Sequence, residues 1–232
     1  MSAIFDGTRF ISDTPGTNAG WIDYGPDNYA GVTINNIPDG DGRRIFIGWM
    51  SNWLYAQAVP TEPWRSAMTV PRALSLKTSA HSHVLTSTPV KELDGLVEAE
   101  AEISAIGDTT AFHISSGTPY RVTGSFPGTD FIVELSNEKG NVVTIGFEKE
   151  NNTFYIDRSK SGHVDFYEDF VKRIEAPRRS DSDNVSFTMI VDAASVEIFF
   201  DEGSTNLAAV FFPDGWLNQF KAFGKRALCS AT

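Results

Sequence analysis

The chain has 232 residues, with 19 Lys and Arg against 30 Asp and Glu and a formal net charge of −11. That balance argues against nucleic acid as a partner, because binders of phosphate backbones depend on clustered basic side chains that release counterions. A hydrophobic content of 41% with 17 Phe excludes a disordered chain. The single cysteine, Cys229, rules out an intrachain disulfide. No apolar run is long enough to span a membrane, and Asp6 arrives too early for a signal peptide, so the sequence leaves the compartment open.

In chain order, residues 1–89 are dense in Trp and Pro, with irregular connections such as Trp49 through Trp64. They read as several short strands with few obvious ways to close a sheet. Asp39-Gly40-Asp41-Gly42 lacks the further acids and terminal Glu of a calcium-binding loop and predicts a hairpin turn. The polar stretch Thr78–His83 predicts a surface loop, and the texture change that follows it places a domain boundary between residues 89 and 90. Beyond it, apolar residues alternate at a period of two. Val97, Ala99, Ala101 and Ile103 form one such run, Val143, Ile145 and Phe147 a second, and Val196, Ile198 and Phe200 a third, each with a core face and a wet face. On that pattern Glu197 falls on the wet side. Turn clusters at Glu138–Asn141, Asn151-Asn152, Asp201–Gly203 and Pro213–Gly215 separate the runs. Helix signals are scarce, and the fold class is all-β, of sandwich or barrel-like construction. The acids of Asp165–Phe170 belong on a wet strand face or in a loop.

From Tyr29 onward the chain reads Tyr-Ala-Gly-Val-Thr, then Gly48-Trp49-Met50-Ser51-Asn52-Trp53, then Pro63-Trp64-Arg65-Ser66 and Val70-Pro71-Arg72. This closely resembles the last blade of the five-bladed β-propeller in glycoside hydrolase family 32, the β-fructosidases. Asp27-Asn28-Tyr29-Ala30 is similar to that family's Asp-Phe-Tyr-Ala strand entry, with Asn28 in place of the aromatic. Tyr155–Gly162 and Val191–Phe200 resemble its C-terminal β-sandwich. The resemblance implies a propeller end over residues 1–89 and a sandwich over 90–232. It also implies a fructose-containing saccharide, sucrose or a fructan, as the partner, with no cofactor and no membrane.

A retaining glycosidase needs two carboxyl groups about 5–5.5 Å apart, one as nucleophile and one as acid. The family's Asn-Asp-Pro, Glu-Cys and Arg-Asp-Pro motifs are all missing from this sequence. On the family's layout they lie in earlier blades, so the chain reads as a C-terminal fragment with no catalytic residue of its own. The substrate-binding candidates are Trp49 and Trp53, as flat faces for a furanose ring, and Asp27, as a partner for a sugar hydroxyl. Trp64 is expected to fill space between blades, and Arg65 and Arg72 to pair with Glu62 or with sandwich acids. His81 and His83 lack a third ligand, so no metal site is assigned. His113 and His163 stand apart from any Ser or Cys that would make them a base. Two alternatives stay open. One is a non-catalytic carbohydrate-binding module. The other is a structural subunit whose exposed strand edges join a second copy or the missing propeller segment.

Overall fold

The computed structural model describes residues 3–12, 20–78, 83–98, 101–103, 109–114, 117–224 and 228–231. Among these, helix is confined to two short 3-10 turns, Lys91–Leu96 and Glu168–Val171, and the rest of the regular structure is antiparallel strand. The second alternating run folds as a strand because it buries one row of side chains. Val143, Ile145 and Phe147 of the strand Val142–Glu148 are buried, as are Val133 and Leu135 of Phe131–Ser136.

Two six-stranded sheets face each other. One runs in the order Thr205–Val210, Ser195–Phe200, Asn184–Asp192, Tyr120–Pro127, Leu228–Ala231, Ala101–Ile103. The other runs Ile174–Pro177, Thr153–Lys160, Val142–Glu148, Phe131–Ser136, Gln219–Phe223, Thr109–His113. Their inner faces share one core in which Phe154 stacks on Phe200 at 3.8 Å between ring centroids and Phe126 on Phe131 at 4.1 Å. Fully burying one such ring contributes about 1.5–3 kcal/mol. Sheets packed face to face in this way make a β-sandwich.

The first part of the chain closes into a meander instead. Tyr29–Thr33, Arg44–Met50, Arg72–Thr78 and His83–Pro89 are neighbours in that order, with Ala67–Met68 continuing the pairing beside Arg44–Met50. Residues 39–41 turn the first hairpin of this sheet. A separate hairpin joins Ala3–Phe5 to Phe10–Ser12. Of the predicted loop Thr78–His83, residues 79–82 lie outside the described residues, as does His81, while His83 is exposed. Ala99 of the first alternating run lies outside them too.

The meander is stitched to an edge of the sandwich. Tyr24 N–H donates to the Asn206 carbonyl at 2.8 Å, and Ser87 N–H to that of Gly203 at 3.0 Å. Asp23 and Asp27 accept the amides of Ala208 and Val210 at 2.9 and 3.0 Å, their carboxylates standing where a neighbouring strand's carbonyls would. The edge strand Thr205–Val210 is therefore buried along its whole length, which removes it as a template for other chains.

Glu197 corrects the period-two reading. It is 3% exposed, because residues of the meander cover the face of Ser195–Phe200 that the alternation assigned to water. There it accepts the Val70 amide at 2.7 Å and pairs with Arg72 at 2.6 Å.

Candidate functional site

Trp49 lies next to the end of the strand Arg44–Met50, in register with Tyr29 on one side and Met68 on the other. The chain then turns sharply. Asn52 accepts the backbone N–H groups of Tyr55 and Ala56 through its carbonyl, while its side chain accepts the Leu54 amide and donates to the Pro26 carbonyl at 3.0 Å. This turn folds Trp53 back on Trp49, with ring centroids 5.3 Å apart and planes at 55°. Tyr29 meets Trp49 edge-on at 6.4 Å. The Trp49 indole N–H is fixed by the Ser66 hydroxyl at 2.6 Å. Trp53 is 67% exposed and Tyr29 more than half exposed. The result is an open aromatic ledge of Tyr29, Trp49 and Trp53, with ring faces that can lie against the C–H surface of a sugar.

Asp27 sits behind this ledge rather than on it. It is fully buried, and both of its oxygens are taken. Tyr55 donates its hydroxyl to Oδ1 at 2.5 Å, and Oδ2 accepts Arg158 Nη1 at 2.8 Å and the Val210 amide at 3.0 Å. The expected role as a sugar-hydroxyl partner therefore gives way in this structure to an internal one, since no part of Asp27 reaches the surface. Burial pushes its carboxyl above the usual range, against the pull of Arg158, Tyr55 and Val210. The Tyr55 hydroxyl is raised as well, first by burial and then by Asp27, so it stays protonated and donates.

A second buried group lies alongside. Arg72 bridges Asp23 at 2.7 Å and Glu197 at 2.6 Å and lies over the Phe199 ring. Burial works to lower the pKa of Arg72, yet Asp23 and Glu197 together raise it above the ordinary value. Glu197 is raised by burial, against the pull of Arg72. Arg72 thus pairs with a sandwich acid, as its sequence context suggested, whereas Arg65 donates to the Val59 carbonyl instead of reaching Glu62. Trp64 is 47% exposed. The acids Asp165, before the 3-10 turn Glu168–Val171, and Glu168 and Asp169, within it, are exposed, while the aromatics Phe166, Tyr167 and Phe170 of the same segment pack with Tyr55 and Phe212 at the junction of meander and sandwich. Among the described residues no cluster of three or more His, Cys, Asp or Glu is placed to hold a metal, and no helix is long and apolar enough to cross a membrane.

Sequence reasoning brought Trp49 and Trp53 together but overlooked Arg158, Tyr55, Asp23 and the buried role of Glu197. One signal was present. Arg158 continues the buried row of Phe154 and Ile156 at a spacing of two, and an Arg on a core face calls for an acid partner.

Residues 72–228 match the family described as "Glycosyl hydrolases family 32 C terminal", and residues 1–89 match "Glycosyl hydrolases family 32 N-terminal domain". The chain is 35% identical to the levanase of Bacillus subtilis, over 90% of its own length and 32% of that protein. It is also 35% identical to the extracellular exo-inulinase of Aspergillus niger, over 90% of its own length and 42% of the relative. The crystal structure of exo-inulinase from Aspergillus awamori superposes with a TM-score of 0.83 at 29% identity, covering 99% of this chain and 48% of that one. The chain thus spans less than half the length of these relatives.

Proposed function

Because the chain belongs to glycosyl hydrolase family 32, we propose that it is the C-terminal part of a β-fructosidase acting on terminal β-D-fructofuranosides of sucrose, levan or inulin. In this reading residues 1–89 form the last blade of a five-bladed propeller and residues 90–232 the sandwich packed on it. The ledge of Trp49 and Trp53 receives the fructosyl unit, while the attacking carboxylate, the proton donor and the transition-state acid belong to blades outside this sequence. Asp27 holds the ledge from behind. The observation that carries the reading is the open pair of tryptophan rings, 5.3 Å apart, on a segment similar to proteins named for levan and inulin cleavage.

The 232-residue chain on its own is then catalytically silent, because nucleophile and acid act as a unit and both are missing from its motifs. Reducing-sugar release from sucrose, levan and inulin checks this. No turnover above background is expected, and a rate within tenfold of a full-length family member overturns it. The exposure of Trp53 also favours a second reading, a fructan-binding module that does not cut. Binding without hydrolysis, even when upstream blades are supplied as a separate polypeptide, would select that reading.

A further inference from the structure

We propose that Arg158 of the sandwich is a positioning residue for the aromatic ledge, acting through Tyr55 and Asp27. The affinity part of this proposal rests on the reading of Trp49 and Trp53 as a sugar platform.

Both segments that build the ledge are anchored on one guanidinium. Tyr55 lies two residues past Trp53, and Asp27 two residues before Tyr29. Arg158 Nη1 donates to Asp27 at 2.8 Å and Nη2 to the Tyr55 hydroxyl at 3.2 Å, while Tyr55 closes the triangle by donating to Asp27 at 2.5 Å. The remaining donors of Arg158 tie the group to the sandwich side, with Nε on the Phe170 carbonyl at 2.9 Å and Nη1 also on that of Val210 at 2.8 Å. The guanidinium carbon Cζ lies 3.7 Å from the Phe170 ring centroid. Arg158 and Asp27 are both essentially buried, and Tyr55 is 3% exposed. A planar fork held by four hydrogen bonds from all three of its nitrogens allows little rotation. The Asn52 side chain, bonded to the Pro26 carbonyl, repeats the link one step nearer the ledge. The spacing and tilt of Trp53 over Trp49 are thus set by a residue more than a hundred positions away in a different sheet.

Tyr55→Phe tests this, because it removes one hydroxyl and leaves the ring packed among Phe166, Tyr167 and Phe170. Arg158→Lys is the second variant, keeping the charge and losing the fork. Val133→Ala, in the sandwich core, lowers stability without touching the network. Two readouts apply to the full 232-residue chain. The first is near-ultraviolet circular dichroism from the coupled Trp49–Trp53 pair, with Trp53→Ala defining its zero. The second is the affinity for inulin by tryptophan fluorescence. Tyr55→Phe and Arg158→Lys are expected to lose at least half of the coupled signal and to weaken inulin binding about tenfold. Val133→Ala is expected to lower the melting temperature and leave both readouts unchanged. Wild-type signal and affinity in Tyr55→Phe and Arg158→Lys would overturn the proposal, as would equal losses in Val133→Ala. If the wild-type chain shows no saturable inulin binding, the sugar reading falls and the dichroic signal alone decides whether Arg158 positions the ledge.

Discussion

Gly25 shows how one residue decides whether the two halves of the molecule meet. A Cβ at this position would overlap the backbone of Ala208, so only glycine lets residues 22–27 lie along the edge strand. Gly25→Ala is expected to cost about 1–3 kcal/mol, the range for overpacking a close contact, and to lower Tm by several degrees in a thermal melt. Gly40→Ala, where a Cβ would meet nothing within 4 Å, should leave Tm unchanged. At the same scale, the proximity of Trp49 and Trp53 was legible because both sit on one short motif. The burial of Asp27 was not legible, since its partners Tyr55, Arg158 and Val210 are 28, 131 and 183 positions away. A local pattern identifies an acid at a strand entry but says nothing of the sheet that will be laid over it.

At the scale of elements, alternation placed the strands well wherever one face meets a core and the other meets water. It misplaced Glu197, whose strand has protein on both faces; a doubly covered strand carries polar residues only where a partner such as Arg72 waits. The hairpin turn of residues 39–41 is tied to the 3-10 turn Lys91–Leu96 by Arg43, which pairs with Asp41 and Glu92. Arg43 lowers Asp41 from the usual 3.8, and Glu92 from the usual 4.5, each to about 2. Depressed carboxyls contribute stability that is present above their unfolded values and is lost as pH falls through their folded ones. The loss therefore falls between about pH 4.5 and pH 2. Arg43→Gln should lower Tm modestly at pH 7, flatten its pH dependence in that window and leave the two proteins alike at about pH 2. Because the group is solvent-exposed, 1 M salt should shrink the difference. An Arg43→Gln curve parallel to the wild type would show that the clamp does not couple these elements.

At the scale of the whole molecule, a meander whose broad apolar surface includes exposed Tyr29, Trp53, Leu54 and Met68 is docked by its buried ion networks on a sandwich that carries the main core. The all-β class and the family resemblance were readable from motif and period. The way the halves interlock was not, because it depends on Asp side chains standing in for a strand and on the distant acid partners of two buried arginines, which no short window identifies. The account centres on the ledge as a fructosyl platform held by the sandwich. Titrating inulin into the wild-type chain and into Trp53→Ala, following Trp49 emission or heat, tests that most directly. The account predicts saturable binding that weakens at least tenfold, about 1.4 kcal/mol, when the Trp53 ring is removed. Equal affinity in the two proteins would contradict it.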